Sequence, residues 1–388
     1  MSHRRHRRNQ LVENLLIASI AGTLILLASM ASVELGLSVA IIEILLGIVG
    51  GNFLGLHTTP WIDFLAGFAG IVLTFLAGAE VDPSLLREKW KESALIGGLS
   101  FLIPFLLALA FAYWGLHWSL QASQIAGVAL STTSLAVVYA VLVETGLTET
   151  SLGKMIMAAT FVTDFGTALA LSLLFIHPGP LLIVFVLVSL AVIIVVPRLS
   201  PWFFRRYGNR VIEPEIKLVF LALFVLMLVG ELGQSHAVLP AFLLGLAMAR
   251  LLAANRAQTQ RLRVVSFALL TPFFFLKSGM NVSLSAVLAN IGWLGAFLVL
   301  KLAAKFVGVF PMARRFVPAH AWYTTLLMST GLTFGTISSL YGLTSGILNQ
   351  AQFSVLITTV IGTAVIPTVI AQRFFAPQVQ STTEESHV

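Results

Sequence analysis

Asp164 stands inside Gly153 to Ala170, a run otherwise apolar enough to cross a bilayer. A carboxylate at that depth costs several kcal/mol unless something compensates it, and such residues serve mostly as proton or cation sites. The plainer use is a carboxyl that stays protonated or caps a neighbouring helix. Its chemistry is simple to state. A carboxylate, hydroxyls and backbone carbonyls can hold a monovalent cation, and the same carboxylate can take a proton instead. One proton and one cation competing for one group gives coupled exchange without ATP.

The elements that must hold such a group are membrane helices. Hydrophobic residues make up 58% of the 388-residue chain and charged residues 10%. A soluble domain carries about 25% charged residues. The sequence is therefore an all-α polytopic membrane protein in the lipid bilayer. With no cysteine, disulfides, thiol nucleophiles and cysteine metal sites are excluded. The formal charge of +7 does not point to nucleic acid, because the basic residues are sorted by membrane side. The first apolar run, from Leu11, lacks an A-x-A-like site, so no cleavable signal is expected.

Thirteen apolar segments are predicted at about 11–34, 38–56, 60–79, 93–114, 121–143, 152–177, 179–197, 214–232, 237–253, 263–280, 287–310, 320–342 and 352–375. A span needs roughly 20 residues. Short connections make residues 1–388 one transmembrane domain, with no soluble regulatory domain expected after Phe375. Sixteen of the 23 lysines and arginines fall in loops of one parity, from Arg87 to Arg373. Loops between helices on the other side hold none. Lys277, Lys301 and Lys305 lie within spans, and Arg4, Arg5, Arg7 and Arg8 precede the first. The positive-inside rule makes the basic side cytoplasmic, with the carboxyl terminus inside. The amino-terminal arginines oppose that count. Either six loops outvote them or segment 11–34 does not fully cross.

The chain repeats itself. Segment three ends Thr74-Phe75-Leu76-Ala77-Gly78-Ala79-Glu80-Val81-Asp82, and segment ten ends Phe274-Phe275-Leu276-Lys277-Ser278-Gly279-Met280-Asn281-Val282. They lie seven spans apart, so they exit on opposite faces, as an inverted-topology repeat requires. Ser131-Thr132-Thr133-Ser134 in segment five and Ser329 to Thr336 in segment twelve form a second pair at the same separation. Such runs suit broken helices, whose freed backbone groups need internal partners, or else close packing through small residues. At matched positions the broken-helix reading is preferred. Crossed half-helices present two partially positive amino ends and two partially negative carboxyl ends. Asp164 can face the first, and a lysine the second.

In these motifs the chain resembles the monovalent cation/proton antiporter superfamily, in its second branch of sodium/proton antiporters and potassium-efflux-type exchangers. The resemblance spans nearly the whole sequence. Glu43 to Asn52 resembles the family's glycine-rich opening helix, and Phe75 to Asp82 its F-x-x-G-x-E-x-D element. Ser131 to Ser134 and Gly331 to Gly335 resemble its two unwound stretches. Gly153 to Asp164 resembles the helix with the ion-binding aspartate, Pro272 to Met280 its P-F-F-F…G-M segment, and Lys305 to Gly308 its lysine-bearing core helix. Each motif is loose; their order and spacing are specific.

The resemblance implies a sodium/proton antiporter fold with two inverted repeats and crossed broken helices, and antiport by alternating access. Asp164 would bind the cation or proton, and Thr132, Thr133 and Thr163 would be neutral ligands or neighbours. Lys305 would balance the broken-helix ends or pair with a carboxylate, the alternative being snorkelling. Lys301, one turn away, could share that role. Glu43 and Glu80 would be gate or interface groups. Thr163 departs from relatives that carry a second acid, asparagine or glutamine before the aspartate. A single carboxylate then implies one proton per cation, hence electroneutral exchange of Na+ or K+. Lys277 also departs, either snorkelling or standing as a counter-charge near the ion path.

No cofactor is expected, and the histidines lack metal-site spacing. No nucleotide motif is present, so the chain reads as neither enzyme nor pump. The plasma membrane and a homodimer are implied, with a moving core of about 60–177 and 263–375 against a scaffold of about 11–56 and 179–253. A sodium-coupled organic solute symporter of the same architecture is the alternative reading, and a cation channel a more distant one.

Overall fold

A computed structural model describes residues 2–80, 90–148, 150–176, 178–208 and 210–377, with side chains from residue 11 onward. Asp82, Arg87 and Lys89 lie outside the described residues. The elements are helical throughout. They are α1 (Ser2–Leu35), α2 (Val39–Phe53), α3 (Pro60–Ala79), α4 (Trp90–Ala110), α5 (Leu120–Ser131), α6 (Leu135–Glu144), α7 (Ser151–Leu174), α8 (Pro180–Tyr207) and α9 (Pro214–Leu232). After them come α10 (Val238–Ala254), α11 (Arg256–Val265), α12 (Thr271–Met280), α13 (Leu284–Ala289), α14 (Ile291–Phe316), α15 (Ala321–Met328), α16 (Thr333–Thr344) and α17 (Gln350–Phe374). A π turn at Ser266–Leu270 joins α11 to α12.

Nine of the helical stretches among the described residues are long and apolar enough to cross a membrane. The shorter α2 and α10, α9, and the interrupted α15–α16 account for the other four expected segments. The two predicted breaks are present. The fifth segment unwinds between Ser131 and Leu135, and the twelfth between Met328 and Thr333. The cause is local: β-branched and small hydroxyl residues there satisfy backbone groups with their own side chains rather than continue the helix. Ser131 and Thr132 donate to the carbonyls of Val128 and Ala129, and Thr330 to that of Leu327.

The breaks lie against each other. Thr133 Oγ1 donates to the Met328 carbonyl at 2.8 Å, and the Ser134 N–H reaches Thr330 Oγ1 at 3.4 Å. The inverted repeat thus meets at its two unwound points, between α4, α7, α14 and α17. Around them α3 packs on α10 and α12 on α2. At the second seam a Cβ on Gly47 would strike the Leu276 carbonyl oxygen, and one on Gly279 that of Ile44. Only glycine permits backbones this close. By contrast α1 and α8 leave most of their apolar surface uncovered, with 22% and 17% of their spans buried.

Candidate ion-binding site

Asp164 projects from the middle of α7 and is 2% exposed. Its Oδ1 is buried and accepts no hydrogen bond. Desolvating a polar atom without a partner costs several kcal/mol. A cavity of about 220 Å³ opens beside it. Its lining includes Leu135 and Ala136 from the amino end of α6, Thr333 and Phe334 from the amino end of α16, and Glu80 with Arg263 at its mouth. Both half-helix amino ends therefore converge on the cavity that holds the carboxylate. Their partial positive charges favour an anion there.

The carboxyl ends are closed differently. Lys305 on α14 is fully buried. Its Nζ donates to the Ser131 carbonyl at 2.7 Å, to Ser100 Oγ at 2.8 Å and to Thr133 Oγ1 at 3.0 Å. An ammonium has three N–H groups, so Lys305 is saturated. It lies at the carboxyl end of α5 and forms no ion pair with Asp164 within 4.0 Å among the described residues. The carboxyl end of α15 is met by Thr133 at Met328. Lys301, also buried, donates to Thr363 Oγ1 at 3.0 Å and lies against the second break. A Cβ on Gly331 would collide with its Nζ, and would sit 2.7 Å from Thr132 Oγ1.

The remaining sequence candidates divide by location. Thr132, Thr133 and Thr163 are buried behind the cavity wall rather than lining it. Thr163 Oγ1 donates to the carbonyls of Ala159 and Gly97 at 3.1 and 3.3 Å. Glu80 caps α3 and pairs with Arg263 at 3.0 Å. Burial pushes its carboxyl above the ordinary range, against the lowering pull of Arg263. Glu43 is away from the site, on α2, 2% exposed with Oε2 unpartnered. Lys277 lines a separate vestibule at the opposite end and reaches Asp63 at 2.8 Å rather than snorkelling free. Sequence reasoning missed Ser100, Thr363, Arg263 and Asp63. Only Arg263 had drawn notice, as a loop cation.

A carboxylate with a bare oxygen, two amino ends facing it and no bonded cation can take a proton or a small cation. Comparison with known proteins agrees with that chemistry. The family model described as sodium/hydrogen exchanger, transmembrane, matches residues 16–376. A relative from Methanocaldococcus jannaschii, "Probable Na(+)/H(+) antiporter 3", is 28% identical over 87% of this chain and 89% of its own length. "Na(+)/H(+) antiporter NhaS4" of Synechocystis is 22% identical over 84% of each. "Cation/H(+) antiporter 15" of Arabidopsis thaliana is 27% identical over 73% of this chain, which spans 35% of that longer protein. The solved structure of the sodium proton antiporter MjNhaP1 from Methanocaldococcus jannaschii has a TM-score of 0.67 at 16% identity, covering 93% of this chain and 96% of that one. At that identity the likeness concerns the fold. The chain belongs to the sodium/hydrogen exchanger family of monovalent cation/proton antiporters.

Proposed function

We propose that this protein is a secondary antiporter exchanging a monovalent cation, Na+ or K+, for H+ by alternating access, with Asp164 as the one group for which the two ions compete. The observation that carries the reading is the convergence of Asp164 and the amino ends of α6 and α16 on one cavity, while Lys305 is saturated elsewhere. A carboxylate oxygen so buried is costly bare. It crosses the membrane loaded with a cation or with a proton, and one replaces the other. Exchange is then electroneutral and needs no cofactor. Thr132, Thr133 and Thr163 are neutral neighbours of the site, their hydroxyls committed to helix carbonyls. Lys305 and Lys301 balance the half-helix ends, and Glu80 with Arg263 gates the vestibule that leads to Asp164. Glu43 is an interface group beside α12.

Asp164 opens toward the basic end of the molecule, which the positive-inside rule makes cytoplasmic, along with the carboxyl terminus, in the plasma membrane. The close backbone seams of α3 on α10 and α12 on α2 keep α3 and α12 with the scaffold. The rocking part of the core is thereby narrowed to α4–α7 and α14–α17. The uncovered apolar face of α8 suits lipid and a second copy in a homodimer. Organic ligands occupy pockets of about 300–1,000 Å³. A cavity of about 220 Å³ favours an ion over the solute-symport alternative.

The test is cation-induced proton flux in acid-inside proteoliposomes read by a pH dye, with Na+, K+, Li+ or choline added outside. The reading expects an alkali cation, and not choline, to collapse the gradient without an ion shunt. If no cation moves protons, the symporter reading comes forward.

A further inference from the structure

The molecule has a second vestibule, at the end opposite Asp164's opening, with a volume of about 600 Å³. Asp63 and Lys277 line it, with His236, Tyr341, Asn281 and Thr344. Asp63 is on the first turn of α3, and Lys277 on the last turn of α12. Their charges meet at 2.8 Å, Asp63 being 47% exposed and Lys277 only 7%. The same two helical units carry Glu80 and Arg263 at the other end, 3.0 Å apart, in the cavity of Asp164. Each vestibule is therefore fitted with one acid from α3 and one base from the α11–α12 unit. The inverted repeat makes these two pairs counterparts.

Among the described residues that line the outer vestibule, Asp63 is the only carboxylate. A carboxylate in a cleft raises the local concentration of cations and steers their entry. Here its partner is an ammonium tethered to the wall, held at the distance of a charge-assisted hydrogen bond. We propose that Asp63 is a monovalent-cation recruitment site in the outer vestibule and that Lys277 is its built-in competitor, setting the apparent affinity for external cation. The inference rests on the exchange reading above only for its transport consequence. A pair that merely stapled α3 to α12 would affect folding and leave the vestibule's response to cations alone.

The chain has no native cysteine, so Thr344→Cys gives a single probe on the vestibule wall. Its rate of reaction with a cationic thiosulfonate reagent, divided by the rate with a neutral one of similar size, reads the local potential at fixed pH. Lys277→Met should raise that ratio by about three- to tenfold, Asp63→Asn should lower it, and Lys277→Arg should keep it. In right-side-out membrane vesicles, Lys277→Met should lower the half-saturating external Na+ or K+ by a similar factor, and in everted vesicles leave the inner-face value unchanged. The proposal is overturned if Lys277→Met changes the ratio by less than about twofold, if Lys277→Arg shifts it as much as Lys277→Met does, or if both faces change affinity together. A normal labelling shift in vesicles that exchange no ions would uphold the cation site and sink the exchange reading instead.

Discussion

Gly331→Ala tests whether Lys301 really rests on the second helix break. The new Cβ would collide with Lys301 Nζ and approach Thr132 Oγ1 to 2.7 Å and the Thr132 carbonyl to 3.1 Å. Overpacking of this kind costs about 1–3 kcal/mol. If Lys301 retreats, its buried bond to Thr363 is lost too, at about 1.5–3 kcal/mol for a charged donor. Together these predict a loss of about 3–6 kcal/mol, or about 5–15 °C in the midpoint for loss of a monodisperse peak after heating in detergent. Gly98→Ala is the control, since nothing lies within 4 Å of a Cβ there. Adding Lys301→Ala to Gly331→Ala should recover at least about 1 kcal/mol relative to additivity, the residue being the clash with Thr132. Additivity within about 0.5 kcal/mol, or a Gly331→Ala midpoint equal to that of Gly98→Ala, would refute the placement of Lys301.

Further outcomes follow from the same geometry. Lys305→Met should cut exchange at least about tenfold, as it orphans the buried Ser131 carbonyl at about 1–3 kcal/mol; a variant with native turnover would deny the balancing role. Glu80→Gln should change stability by less than about 1 kcal/mol, because the pair with Arg263 is partly solvated, while weakening the inner-face apparent affinity for the cation; a stability loss with unaltered affinity would make the pair structural. Clamping the membrane potential should not change the exchange rate if one proton leaves per cation, and a strong voltage dependence would contradict electroneutrality. Cysteines at Phe161 of α7 and Phe242 of α10, whose rings stack at 5.4 Å, joined by a bifunctional thiol reagent should stop transport; transport persisting after full cross-linking would rule out rocking across this seam.

Much of the frame was legible in the sequence because its signals are local. Long apolar runs gave the spans, and hydroxyl-rich stretches at matched positions gave the two breaks. Asp164 announced itself by the cost of its surroundings. What could not be read was pairing across the repeat. Ser100 and Ser131 meet Lys305 from helices far away in sequence, and serine in an apolar helix carries no mark of its partner. Arg263 looked like one more loop cation until the fold set it against Glu80. Lys277 left two readings open because Asp63, its ion-pair partner, lies on the other half of the repeat. The threonines were expected as neutral ligands or neighbours of the site, whereas their hydroxyls point to helix carbonyls, a preference that depends on the backbone around them.

The central claim is that one carboxylate carries both ions. Its most direct test is exchange by Asp164→Asn beside the native chain in proteoliposomes at equal protein density, with Asp164→Glu as a second variant. The account predicts no cation-dependent proton flux from Asp164→Asn, which can neither release a proton nor hold a cation by charge. It predicts residual flux from Asp164→Glu. Cation-driven proton flux from Asp164→Asn at the native rate would contradict it.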